Sequence, residues 1–389
     1  MLQLRDEYDE WMNPQLIVAY SGVADEWAND LIKSHMPDVA VEVVDRALLN
    51  DPTNKALLYT KGLALENMKE WEQAYALQSR NYDPSNAEQQ SWYEHMRYLG
   101  FRSMKNRIDA SYTHAVYDSR SAGLVSTAHL YSIASVAYSR LEKRDSYTGQ
   151  ISYKGIDGYH VTIENEDEST YEENEAGGTG LEFMGQWEHS FNHRWTGMAS
   201  VSYGTRFFNK LGVNLSASYA MDDGWTPSLR LSYRRTPKTY LFIGTDTISQ
   251  TEYGKYHLFM LAPSIEKAWE RIRVTGSADL SLLKGSVYYN IGLKGKLFIN
   301  DDNVSSISLV TGFGSFPELQ FFEQTALRGL SHTNKMIGFD AQYLCTNNFC
   351  LGLTGSWNTC YNPYRQENGQ LADSYRNIYS IMLQAHVAF

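Results

Sequence analysis

The chain lacks any apolar run approaching the 18 residues that a membrane helix requires. If it crosses a membrane, it does so with strands. Basic residues do not dominate: the formal net charge is −11, which argues against nucleic acid as a partner. Only Cys345, Cys350 and Cys360 are present, with no histidine close by to complete a metal site, and no cofactor motif occurs. Cys345 and Cys350 bracket a hairpin turn, where a disulfide or simple packing are the two options. Three thiols cannot all pair internally. HExxH, a P-loop and Gly-x-Ser-x-Gly are absent. His114 has Val116 two residues on, where a barrel phospholipase needs serine. His189 and Ser190 are adjacent, so on a strand they face opposite ways. Glu182 and Glu188 are about 20 Å apart along one strand, too far for paired carboxylate work. No enzyme is expected. Proline is scarce, 9 residues against 28 Gly and 28 Tyr, a balance that suits strands with aromatic belts. The opening Met1-Leu2-Gln3-Leu4-Arg5-Asp6 is no secretory leader. An exported barrel needs one, so a mature or trimmed chain is expected.

What the sequence does contain is alternation. In its last stretch Tyr379, Ile381, Leu383, Ala385, Val387 and Phe389 are apolar, and Ser380, Gln384 and His386 lie between them. A period of two marks a strand with one greasy and one wetter face. Terminal aromatic strands of this kind resemble the assembly signal of bacterial outer-membrane proteins, which gives Phe389 that role. The same pattern recurs upstream. Leu211, Val213 and Leu215 oppose Asn214 and Ser216; Leu229, Leu231 and Tyr233 oppose Arg230 and Arg234. Ala278 and Leu280 oppose Asp279; Ile291, Leu293 and Leu297 oppose Asn290, Lys294 and Lys296; Phe339 and Ala341 oppose Asp340. A soluble sandwich would exclude so many inward charges, whereas the wet lumen of a transmembrane barrel accepts them. Arg230, Arg234, Asp279, Lys294, Lys296 and Asp340 are therefore the lumen-lining candidates.

The first hundred residues follow another period. Ala74 lies 34 residues after Ala40, Trp92 lies 34 after Leu58, and Leu99 lies 34 after Leu65. Small Gly62 and Ala74 permit close helix contact, and Pro52 stops a helix. This is the spacing of tetratricopeptide (TPR) hairpins, which bind or pack against proteins. The expected fold is α+β and multidomain. A TPR-like periplasmic arm over 1–104 precedes an antiparallel barrel over 105–389, with about 14 to 16 strands.

About fifteen segments alternate, among them 239–249. An even count places both ends of the barrel in the periplasm, and Tyr159–Ile163 is the preferred sixteenth strand. Working back from the C-terminus, segments 316–334 and 361–373 become long outer loops. On the count of sixteen, however, the acidic stretch Glu164–Glu175 falls on the periplasmic side, against the usual loop asymmetry. That stretch reads as a solvated loop, with a cation site as the lesser option.

Asn300-Asp301-Asp302-Asn303, followed by Gly312-Phe313-Gly314-Ser315-Phe316-Pro317-Glu318, resembles the YaiO family of outer-membrane β-barrel proteins. The resemblance covers most of 178–389 and is poorer over 119–177. It implies outer-membrane location and brings no agreed activity or catalytic residues. An arm joined to a barrel also resembles exopolysaccharide export porins. Two functions follow as expectations. One is an export or transport channel for a polysaccharide or other polar solute. The other is a non-conducting scaffold whose arm meets envelope proteins while its barrel sits in outer-membrane lipid.

Overall fold

The computed structural model describes residues 14–389 except 84, 87–88, 90–91, 118–124, 127–129, 157–159, 162–177, 193, 206–207, 238–254, 284, 301, 316–333, 362–363, 366–370 and 373–374. Five helices come first: α1 (Pro14–Lys33), α2 (Pro37–Leu48), α3 (Lys55–Asn67), α4 (Trp71–Asn81) and α5 (Tyr93–Ser103). Proline opens α1 and α2, where its missing N–H costs nothing. Asn54 caps α3, its Oδ1 accepting from the N–H groups of Ala56 at 3.0 Å and Leu57 at 3.2 Å. Small side chains bring the helices close. Ala24, Ala28, Ala40, Ala47 and Ala64 are fully buried in one core with Tyr20, Val44 and Leu57. At Gly62 a Cβ would come within 2.4 Å of the Gln78 side chain, which bonds Glu66 at 2.9 Å. Ala74 is fully buried. Pro52 lies in the turn after α2, and Trp92 just before α5 stacks on Tyr59 at 4.7 Å.

Fourteen antiparallel strands then close into a barrel. They are β1 (Asn106–Tyr117), β2 (Leu130–Leu141), β3 (Asp145–Ile156), β4 (Gly178–Ser190), β5 (Trp195–Gly204), β6 (Leu211–Tyr219) and β7 (Trp225–Pro237). The second half comprises β8 (Lys255–Ala268), β9 (Ile272–Leu283), β10 (Ser286–Phe298), β11 (Ser306–Gly314), β12 (Asn334–Thr346), β13 (Phe349–Tyr361) and β14 (Tyr375–Ala388). Each strand pairs with its sequence neighbours, and β1 pairs with β14 to complete the ring. Closure leaves the barrel itself no edge strand.

The preferred count of sixteen is thus corrected to fourteen. His160–Val161 pairs only with Val125–Ser126, outside the barrel. Five alternating residues are too few to reach across a wall whose strands run from 9 to 14 residues. Segment 239–249 lies outside the described residues, and β7 pairs directly with β8, so the ring closes without it. The count also resolves the acidic stretch. Residues 164–175 lie outside the described set, but their flanks Ile156 and Gly178 pair at the end of the barrel away from the helices. The strand ends joined through the long connections 118–129, 157–177, 238–254, 315–333 and 362–374 all point to that far end. Connections at the helical end are short, such as 142–144 and 269–271.

The seam is sealed at its base by Phe389. Its N–H donates to the Asn106 carbonyl at 2.9 Å and its carbonyl accepts from Asn106 N–H at 3.1 Å. The ring is 56% exposed on the outer wall. Truncation after Ala388 removes both bonds and the aromatic together, so heat-modifiable barrel forms several-fold more slowly than wild type. Phe389→Tyr keeps all three features and folds at the wild-type rate. Equal folding rates for the truncated and full chains on semi-native gels would refute this role.

Candidate functional site

Outward side chains of the barrel are large and apolar, such as Leu215, Leu231, Phe259, Ile291 and Ile381, all about half exposed. The inner wall mixes small hydroxyl and amide residues that bond across strands with buried apolar ones, among them Ile133, Leu258, Met260, Val310 and Met336. Ser135 meets Ser152 at 2.9 Å, Ser139 meets Thr148 at 2.8 Å, and Ser356 meets Ser380 at 2.6 Å. Asn214 donates to Ser200 at 2.9 Å, and Thr354 donates to Asp340 at 2.9 Å. Short side chains hold this wall back from the barrel axis and leave hydrogen-bonding groups directed inward.

All six lumen candidates lie on this inner face. Arg230, Arg234, Asp279 and Asp340 are between 4% and 8% exposed. Lys294 and Lys296 are half-buried, while Leu293 and Leu297 beside them are exposed on the other face. Asp279 sits in the field of Arg230 and Arg234, although a strand separates them. Lys294 and Lys296 share the neighbourhood of Asp340 and Glu266. Lys154, absent from those six, is 1% exposed on the same inner face. Its ammonium lies 5.1 Å from the Tyr131 ring and 5.9 Å from that of Phe208, a cation held by aromatic faces. Its place two residues after inward Ser152 was a readable signal. The aromatic partners, brought from elsewhere in the chain, were not. A wide aqueous bore would leave such charges wet. Their burial shows that neighbouring groups cover Lys154, Arg234 and Asp279 along the inner wall.

At the opposite end the helices meet the rim at points spread around the ring. The Arg97 guanidinium, itself buried, donates to the Leu344 carbonyl on β12. Phe101 of α5 packs with Leu344, Cys350 and Ala388, and the Arg107 guanidinium of β1 stacks over Phe101 at 4.7 Å. Lys69, between α3 and α4, bonds Ser190 at the end of β4 at 2.8 Å. Desolvation there lowers the Lys69 pKa from its ordinary value; Glu188 opposes the shift and Arg102 adds to it. His35, between α1 and α2, meets Asp222 in the β6–β7 turn at 3.0 Å. Glu70 pairs with Lys143 in the β2–β3 turn at 3.2 Å. His35 and Lys69 both take left-handed backbone, with φ of 56° and 60°. That conformation usually falls to glycine at a helix end. Both side chains reach the barrel from this strained position.

Register also aligns Asp109, His386 and Cys350 in one inward row, and His386 Nδ1 lies 2.6 Å from Asp109. The row looks like a catalytic set but lacks an available nucleophile. The Cys350 side chain is 2% exposed among Phe101, Leu344 and Ala388, and a thiol in apolar surroundings is inert. Cys345 and Cys350 are both free; Cys350 is buried in packing, while Cys345 is part-exposed.

No protein-family model and no curated protein matches the chain. Among solved structures, the Pseudomonas putida toluene transporter TodX aligns with a TM-score of 0.50 at 9% identity, covering 75% of this chain and 92% of that one. The Ralstonia pickettii toluene transporter TbuX gives 0.46 at 8% identity, covering 75% and 91%. A Pseudomonas aeruginosa FadL homologue gives 0.42 at 8%, covering 75% and 92%. At such identities the likeness to TodX is one of fold: a closed transmembrane-type β-barrel.

Proposed function

We propose that the chain is an outer-membrane channel for a polar solute, closed at rest by its own N-terminal helices. The observation that carries this is the inner wall. Its rows of serine, threonine and asparagine offer a sugar-like solute the hydrogen bonds it gives up with water. A polysaccharide is the polar solute such rows suit. Short turns at the helical end and long connections at the far end support a periplasmic place for the helices. There the 34-residue spacing of Ala40 and Ala74 supports a TPR-like arm for envelope proteins. The YaiO-like stretch has a structural role consistent with family kinship. Buried Asp302 accepts from Val304 N–H at 2.9 Å and Ser305 N–H at 2.6 Å, and Ser305 Oγ accepts from Leu344 N–H at 3.0 Å. The acidic turn thus anchors the same strand end that Arg97 holds.

Liposomes carrying the full-length protein test the channel. Neutral oligosaccharides should enter faster than into empty liposomes, and faster still once the helical contacts are cut. The scaffold alternative draws on the buried interior charges and covered mouth. It predicts no solute entry in any variant, and that outcome would replace the channel.

A further inference from the structure

The outer half of the barrel wall carries an apolar groove of about 550 Å³ on the lipid-facing side of β6–β10. Val213, Leu231, Tyr233, Phe259, Leu282 and Val287 line it. Directly above, toward the far rim, the outward surface turns basic. Arg235 on β7 and His257 on β8 are cross-strand partners. Tyr233 stacks on the His257 ring at 5.9 Å, and its hydroxyl lies 2.7 Å from His257 Nδ1. This contact orients the imidazole and leaves its second nitrogen for another partner. Arg235 Nε is buried and has no hydrogen-bond partner among the described residues. Strands β5, β6 and β7 contain no acid, and the one acid of β8, Glu266, lies at the helical end. A second groove, near Tyr138 and Trp187, differs in this respect, because its cation Arg140 is already held by Glu142 at 2.8 Å.

A cation beside an acyl-sized apolar groove, at the level where strands leave the hydrocarbon, matches one class of molecule: an amphiphile with an anionic head. We infer that β6–β10 bind a phosphorylated glycolipid of the outer leaflet, with its phosphate on Arg235 and His257 and an acyl chain in the groove. Guanidinium and phosphate form charge-assisted bonds, stronger than neutral ones. The choice of a glycolipid rests on the orientation proposed above, which turns this end outward.

The full-length protein in detergent is titrated with diphosphorylated lipid A and, separately, with phosphatidylglycerol, and bound lipid is counted by native mass spectrometry. Lipid A should be retained at one site in preference to phosphatidylglycerol. Arg235→Gln should weaken retention at least tenfold, and Leu231→Trp, which fills the groove, should do the same, while both variants keep heat-modifiable migration. Equal retention of the two lipids overturns the glycolipid assignment. Wild-type retention by Arg235→Gln overturns the site. Orientation is read independently by labelling a cysteine placed in 316–333 on intact cells. Labelling only after cell disruption would overturn the orientation, and the outer-leaflet source with it, whatever the titration shows.

Discussion

Leu293→Arg prevents the chain from reaching its heat-modifiable folded form, and Lys294→Gln does not. The two residues are adjacent near the middle of β10 and keep the same backbone pairing to β9 and β11. What separates them is the side of the wall. Leu293 is 53% exposed on the lipid face, where arginine near the bilayer midplane costs roughly 2–4 kcal/mol. Lys294 faces inward near Asp340 and Glu266. Glutamine there gives up a charge without adding repulsion, which glutamate would. Semi-native gels and urea unfolding in lipid vesicles read the difference. Assembly of Leu293→Arg together with failure of Lys294→Gln would invert the facing of the whole barrel.

His35→Gly combined with Lys69→Gly opens the channel without unfolding the helices. Most variants that loosen an interface also weaken the element that carries it, but here the two effects have opposite signs. Left-handed backbone costs a non-glycine residue about 1 kcal/mol, and glycine removes that cost. The same substitutions delete the His35–Asp222 pair and the Lys69–Ser190 bond. The first is half-exposed and contributes little. The second, a charged bond at a partly desolvated site, contributes about 1.5–3 kcal/mol. Open events in planar bilayers should therefore rise roughly 10-fold or more, since each 1.4 kcal/mol is a factor of ten. Helical circular dichroism should melt no earlier than in wild type. A conductance already maximal in wild type would remove the helices from the role of a gate. Silence in wild type and variant alike would count against a channel.

Much of the barrel was legible because burial on one face imposes a strict period of two. Leu211, Leu229, Leu280, Leu293 and Phe339 each announce a lipid-facing position, and Arg230 and Asp279 an inward one. Strand number was less legible. The segment around His160 alternates as a strand does, but alternation says nothing about length of reach or partner. The helices were legible, but their docking on the barrel rim was not. Arg97 and Leu344 are 247 positions apart, and nothing local to either marks the contact. His35 and Lys69 gave no signal, since only backbone geometry reveals them as occupants of a glycine position.

The seam of the barrel has a consequence for timing. The helical core is local: Tyr20, Ala40 and Leu57 lie within one short stretch of chain and can collapse as soon as that stretch exists. The seat for α5 is not local. Leu344, Cys350 and Ala388 belong to β12, β13 and β14, and His386 must find Asp109 across 277 positions. The part of the molecule made first can therefore take its place only after the part made last has paired. Until then the mouth stands uncovered and α5 keeps its apolar side unprotected. An unfinished barrel is thereby distinguished from a finished one by which surfaces of the helices are free, a difference that an attendant chaperone can sense by touch.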